Sequence, residues 1–232
     1  EEEEFRDCRG LYVSKFNGML ISVWGNYIYV HYKDAGGYSY RKLGINISNT
    51  NDLVSIAESG GENPRILIAD GFVLHSFLIN EIDNVTGSYA QIQLPKNADG
   101  VQIKPSYVSY QFGYLTINDK DSDRFYRSYL YPFEYVKDDE IEMRVFTYDP
   151  ILEEEYEFGM YIVADYSSDK IDAMCSNNEK LFVFGKNSIQ EYVYTADSRM
   201  PFSTTQSSKI GILNKDSLSI INNQMFWLGA GD

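Results

Sequence analysis

Short apolar runs that end on a small or turn-forming residue recur along the chain. They are Ile21-Ser22-Val23-Trp24-Gly25, Ile66-Leu67-Ile68-Ala69-Asp70-Gly71 and Leu115-Thr116-Ile117-Asn118-Asp119, then Leu181-Phe182-Val183-Phe184-Gly185 and Met225-Phe226-Trp227-Leu228-Gly229. Anchored on Gly25, Gly71, Asp119, Gly185 and Gly229, the intervals are 46, 48, 66 and 44 residues. Three of the four fall in the range of one four-stranded propeller blade. Further strands are predicted after the anchors, over 27–32, 72–79, 124–130 and 188–194, and before them, over 11–16, 106–110, 171–174 and 217–221. Asn17-Gly18, Asn177-Asn178 and Asn222-Asn223 are residue pairs that accept the positive φ of tight hairpins. Helical periodicity is weak everywhere. The best candidate is a short turn from Asn51 to Ser59, capped by Asn51 or Asp52 and ended by Gly60-Gly61.

A blade cannot cover both faces of its own sheet, so neighbours must stack about an axis. This accounts for strands that read as apolar runs instead of clean alternations. The expected fold is all-β, a propeller-like array of four-stranded antiparallel blades, either closed or an incomplete propeller. Blades are expected over 1–131 and 162–232. The long interval contains 132–161, an acidic stretch read as an inserted hairpin or loop. The competing architecture is a β-sandwich whose strand spacing happens to match, which spacing alone does not separate from a propeller.

Composition narrows the class. The chain of 232 residues is 44% hydrophobic and 15% aromatic, with 20 Tyr and 13 Phe, which suits pleated packed surfaces and not disorder. Acids outnumber bases 34 to 20, and the net charge of −14 argues against a sequence-reading nucleic-acid binder. No apolar run has the length of a membrane helix. The chain opens Glu1-Glu2-Glu3-Glu4, without a basic and apolar leader, and this abrupt acidic start is read as the edge of a trimmed chain. Cys8 and Cys175 stand far apart and outside any metal spacing, so neither a disulfide framework nor a zinc site is expected.

Candidate chemistry is sparse. His31 and His75 sit inside apolar strands, and nucleophile-elbow, zinc-helix, phosphate-loop and dinucleotide signatures are absent. No enzymatic activity and no cofactor are expected. Asp119, Asp121 and Asp123 have the spacing of oxygen ligands in a calcium loop. However, Arg124 stands where the EF-hand needs Gly and Leu130 where it needs Glu, so they are a weak metal candidate beside a solvated turn. Asp138, Asp139, Glu140 and Glu142, with Glu153, Glu154 and Glu155, read as solvated charge runs, although paired carboxylates are also what a glycosidase uses. Tyr126, Tyr129, Tyr131, Phe133 and Tyr135 form an aromatic ladder suited to blade packing or an interface.

The last quarter carries a further pattern: Leu181-Phe182-Val183-Phe184-Gly185, Ile189-Gln190-Glu191-Tyr192, Pro201-Phe202, Ile210-Gly211-Ile212, Asp216-Ser217-Leu218 and Phe226-Trp227-Leu228-Gly229. In order and spacing it resembles the packaged-DNA stabilisation, or tail hub, proteins of short-tailed bacteriophages, with Thr204-Thr205-Gln206 where basic residues are usual. That resemblance assigns structural positions to Gly185, Glu191, Pro201, Phe202, Gly211, Ser217, Trp227, Leu228 and Gly229. It implies a virion tail protein made in the host cytoplasm, forming a homo-oligomeric ring expected to be six-fold, in contact with portal or adaptor and other tail proteins. Packaged DNA would pass through without sequence-specific binding, and no membrane is involved. The alternative is a carbohydrate-binding or glycan-degrading propeller.

Overall fold

Antiparallel strands dominate the computed structural model, which describes residues 7–48, 52–79, 88–133, 144–149, 152–156, 158–167, 169–197 and 199–230. The first sheet comprises β1 (Cys8–Val13), β2 (Leu20–Trp24), β3 (Tyr27–Asp34) and β4 (Gly37–Asn46), and the second β5 (Ser55–Glu58), β6 (Arg65–Ala69), β7 (Leu74–Leu78) and β8 (Ala90–Ile92). The third holds β9 (Val108–Gln111), β10 (Tyr114–Asn118) and β11 (Arg124–Arg127). A two-stranded hairpin, β12 (Tyr148–Asp149) with β13 (Glu154–Glu155), intervenes before β14 (Tyr161–Val163) completes that sheet. The fourth is β15 (Ala173–Asn177), β16 (Lys180–Phe184), β17 (Ile189–Tyr194) and β18 (Phe202–Ser208). Beyond it, β19 (Gly211–Ile212) pairs with β22 (Gly229–Ala230), and β20 (Ser219–Ile221) with β21 (Gln224–Phe226). Neighbours within each four-stranded sheet are antiparallel and follow chain order.

The sheets stand side by side as blades. First strands are neighbours across blades, β1 beside β5, β5 beside β9 and β9 beside β15. Val54 N–H donates to the Arg9 carbonyl (2.9 Å) and Val108 N–H to Ser55 Oγ (3.1 Å), and the Ser109 and Ser176 hydroxyls hydrogen-bond. Gly10 permits the first of these approaches, since a Cβ there would lie 2.6 Å from Val54 Cγ2. Each seam has its own core. Ile21, Val23, Ile28 and Val30 of blade 1 pack on Ile66, Ile68 and Phe77 of blade 2. The opposite face of β6, Leu67 and Ala69, packs with Leu115, Ile117 and Tyr126 of blade 3. Tyr114 and Phe125 of blade 3 then meet Leu181, Val183 and Tyr192 of blade 4. Covered on both faces, β6 is buried at every position, which is why it reads as an unbroken apolar run. The architecture is all-β with propeller-type blades, and a pair of face-to-face sheets does not produce this arrangement.

The first four anchors each follow the second strand of a blade. The bend is closed by backbone bonds from Asp70 N to Val73 O (3.3 Å), Asp119 N to Arg124 O (3.1 Å) and Gly185 N to Ser188 O (2.8 Å). Three sequence expectations need correction. Residues 55–58 of the expected helical turn are strand β5, because Ile56 and Ala57 pair with Ile68 and Leu67; tertiary pairing overrides the capping signal. The run Met225–Gly229 is not one strand: β21 ends at Phe226, and the chain swings so that the Trp227 ring packs edge-on to Phe184 (5.7 Å) and Leu228 O accepts from Leu213 N–H (2.8 Å). The aromatic ladder is not a strand beyond Arg127. Tyr126 lies in β11, whereas Tyr129 is buried in the following turn with its hydroxyl on Pro132 O (2.8 Å), and Tyr131 has φ 51°. Glu1–Glu4, Asn51, Tyr135 and the acids at 138–142 lie outside the described residues.

Candidate functional site

The first strands enclose a central space of about 390 Å³, bordered by Leu11, Ser55, Tyr107, Cys175, Asp216 and Ile220 among others. Its lining is chemically quiet. Burial pushes the Cys175 thiol up to about 12, so it stays protonated and a poor nucleophile. Its Sγ lies 3.6 Å from Met225 Sδ. Burial likewise raises the Tyr107 hydroxyl, with the charges of Asp216 and Asp172 adding to the effect.

A polar groove of about 680 Å³ runs along the β10–β11 turn and gathers Asp119, Asp121 and Asp123 with Lys104, Arg124 and Lys170. The three aspartates share this groove without converging. Asp119 is nearly buried, and its Oδ1 accepts from Lys104 N–H (3.2 Å); burial raises its carboxyl above the ordinary value, partly offset by that bond and by Arg124. Asp121 sits in the left-handed region (φ 69°), which turns it towards Lys170 (3.7 Å). Among the described residues no three His, Cys, Asp or Glu side chains come together as a metal set. The interleaved lysines and arginine also offset the negative field that a cation would need.

Within the described part of the 132–161 segment, two of the acids are held by cations. Glu154 pairs with Arg199 (3.0 Å) and takes the Tyr156 hydroxyl (2.9 Å), and Glu155 pairs with Arg144 (2.7 Å). The histidines are engaged structurally. His31 Nε2 bonds Ser22 Oγ (2.8 Å), but Ser22 is buried, which closes it to a substrate.

His75 belongs to a buried polar hub that the sequence did not reveal as a unit. Its Nε2 lies 2.9 Å from Asp70 Oδ2 and its Nδ1 3.0 Å from the Tyr89 hydroxyl. Asp70 also accepts from the N–H groups of Ser48 (2.8 Å), Phe72 (2.9 Å) and Val73 (2.8 Å). Arg9, fully buried, donates to the carbonyls of Asp52 (2.7 Å), Gly25 (2.8 Å) and Ser48 (2.6 Å). Burial alone would raise the Asp70 carboxyl; the His75 bond and the Ser48 and Val73 N–H groups outweigh it and hold it well below the usual carboxylate range. Ser48 thus joins the end of blade 1 to the turn of blade 2. The hub is a seam lock and has no access for a substrate.

The residues assigned by family resemblance all lie in or against blade 4. Gly185 leaves room for Asp169, whose carboxylate accepts from Asn187 N–H (2.7 Å) and the Ser188 hydroxyl (3.3 Å). Glu191 forms an ion pair with Lys180 (2.8 Å) and accepts from Thr205 Oγ1 (2.8 Å). Pro201 O takes the Thr195 N–H (2.9 Å), which places Phe202 edge-on to Tyr114 of blade 3 (5.8 Å). Gly211 crosses directly over the Lys186 carbonyl, and its strand pairs with Gly229 and Ala230. Ser217 Oγ accepts from Leu228 N–H (2.9 Å). Together with Trp227 on Phe184, these residues tie the end of the chain to blade 4.

No protein-family model matches the chain, and no curated protein matches it. Its fold is similar to that of solved β-propellers. A streptogramin B lyase structure aligns at 12% identity and TM-score 0.50 over 94% of this chain and 60% of that one. The extracellular domain of the hybrid two-component system BT4673 from B. thetaiotaomicron aligns at 8% identity and TM-score 0.47, over 93% of this chain and 24% of that one. Hsv2 of Kluyvelomyces marxianus aligns at 10% identity and TM-score 0.41, over 89% and 74%. The chain spans about three fifths of the lyase chain. At these identities the likeness concerns the fold alone.

Proposed function

We propose that the chain is a non-catalytic β-propeller scaffold of a short-tailed bacteriophage tail, linking portal or adaptor to distal tail parts and helping to retain and conduct packaged DNA. The observation that carries the scaffold role is that the buried ionisable side chains join and brace blades. Arg9, Asp70 and His75 lock blades 1 and 2, while Asp169 and Glu191 hold blade 4. The tail assignment rests on the resemblance carried by residues 181–229. A rigid stack of blades resists deformation, and the chain's net charge of −14 would repel DNA, allowing it to slide without sticking. The expected ring and its portal partners belong to the same reading, as does a virion location.

Two outcomes test it. In purified virions carrying a label on this chain, images should show the label on the tail axis; particles that lack the chain sink the reading. The isolated protein should show no salt-sensitive retention of duplex DNA at roughly 0.15 M salt. Binding that weakens steeply as salt rises would mean that phosphate is being neutralised, contrary to a sliding surface.

A further inference from the structure

The groove beside the β10–β11 turn lies between two inner blades, and strand register builds its floor. Tyr126 is the cross-strand partner of Ile117 and of Tyr161, Arg124 is that of Val163, and Asp119 N–H closes on the Arg124 carbonyl (3.1 Å). Asp119, Arg124, Tyr126 and Tyr161 therefore share the face of blade 3 that turns towards blade 2. The opposite wall is a small hairpin joined by the Lys96–Gln102 bridge. Asn97 Oδ1 braces it by accepting from the N–H groups of Asp99 and Val101 (3.0 Å each). About 680 Å³ lies between the walls, a volume suited to a small molecule.

The Tyr126 hydroxyl has no use within the fold. The side chain is fully buried, and its oxygen is the one buried side-chain polar atom among the described residues without a hydrogen-bond partner. Asp119 and Arg124, whose charges act on it, both line the groove. Burial raises the hydroxyl above its ordinary value and Asp119 adds to this, so it stays a protonated donor. Arg124 is itself a donor and cannot take that proton. Among the described residues no carboxylate forms an ion pair with Arg124; its guanidinium rests over the Tyr161 ring (4.7 Å), which is 43% exposed.

Composition selects the ligand. Five acids and four bases line the groove, so its charge nearly cancels although the chain carries −14. A phosphate would meet the aspartates there, and a divalent cation would meet the lysines and Arg124. Interleaved donors and acceptors beside a half-exposed tyrosine ring suit a neutral polyhydroxyl molecule instead. Its hydroxyls would donate to the aspartates and accept from Arg124, Tyr126 and the Gln102 amide, while its C–H face packs on Tyr161. We infer that this groove binds a neutral saccharide, with Arg124 swinging off the Tyr161 ring to admit it and uncover the Tyr126 hydroxyl. The inference concerns binding alone and does not rest on the tail reading.

Saturation-transfer NMR of the chain tests it, with neutral hexose and N-acetylhexosamine oligosaccharides beside sialylated and sulfated ones. Neutral oligosaccharides should receive saturation at their C–H protons, and neither phosphate nor calcium in excess should displace them. Calorimetric titration with the strongest neutral ligand then gives the affinity. Tyr161→Ala should weaken it by about tenfold, as loss of an anchoring ring does. Tyr126→Phe should weaken it by about fivefold, the worth of one hydrogen bond, yet leave the urea midpoint at or above that of wild type, because an unpaired buried hydroxyl does not stabilise the fold. A hydroxyl with a structural role would give the opposite pair of results. No transfer to any neutral oligosaccharide, binding confined to the acidic ones, displacement by phosphate or calcium, or an affinity unmoved by both variants each overturns the inference. The position of the labelled chain in virions is a separate result, so the tail reading stands or falls without it.

Discussion

Asp70→Ala should lower the stability of the fold by about 3–5 kcal/mol, the cost of stripping one partner from a buried charged network. The substitution strands the partly buried N–H groups of Ser48, Phe72 and Val73 and leaves the buried His75 Nε2 without its acceptor. Because Ser48 also gives its carbonyl to Arg9, the loss propagates into blade 1. Asp70→Asn keeps one acceptor oxygen and should fall between wild type and alanine. The pH dependence has a definite sign. The folded-state carboxyl titrates below its ordinary value of 3.8, so its contribution is fully present above that value and is lost as pH falls below 3.8 towards the folded-state value. Wild type should therefore lose stability through this acid window more steeply than Asp70→Asn, in which this titration is absent. Urea midpoints at neutral pH and below 3.8 check both points. An Asp70→Ala midpoint within experimental error of wild type would remove the seam-lock account.

Parts of this arrangement were legible in the sequence and parts were not, for physical reasons. The strand–turn anchors were legible because a strand covered on both faces, such as β6, must be apolar throughout, and the bend after it must hold a small or turn-forming residue. The Asp70–His75 pair left a faint mark: an Asp-Gly bend with a histidine five residues on, across one hairpin. Arg9 left none. Its partners are the carbonyls of Gly25, Ser48 and Asp52, and a backbone acceptor has no identity in the sequence. The Asp119–Asp121–Asp123 spacing suggested a ligand set, yet left-handed backbone at Asp121 diverts the middle carboxylate to Lys170. The Trp227-Leu228-Gly229 run read as a strand because propensity does not register that Trp227 is drawn onto Phe184. The groove face of blade 3 was also hidden. Asp119, Arg124, Tyr126 and Tyr161 are positions on neighbouring strands that register alone brings together.

Gly211→Ala should be the most damaging single-methyl change in the last quarter of the chain. A Cβ at this position would lie inside the van der Waals shell of the Lys186 carbonyl and against Asn187 N, which are backbone atoms that no rotamer change can move. Either β19 or the turn after β16 must shift. With it go the Ile212 N–H bond to Gly185 O (2.9 Å) and the packing of Ile212 with Ala173, Phe184 and Trp227. Overpacking of this kind costs about 1–3 kcal/mol, occasionally more, and the lost hydrogen bond adds about 1 kcal/mol. Gly229→Ala is the matched control on the paired strand. Its Cβ would meet Ile210 Cγ2 at 3.3 Å, the end of a half-exposed side chain that can yield. That variant should stay within about 0.5 kcal/mol of wild type, as exposed substitutions usually do. The readout is the denaturant midpoint together with Trp227 emission, which should move to the red in Gly211→Ala as the indole leaves Phe184, with Trp24→Phe in both variants to isolate it. Equal midpoints and unshifted emission for the two variants would mean that β19 docks loosely, and the tie between the end of the chain and blade 4 would have to be found elsewhere.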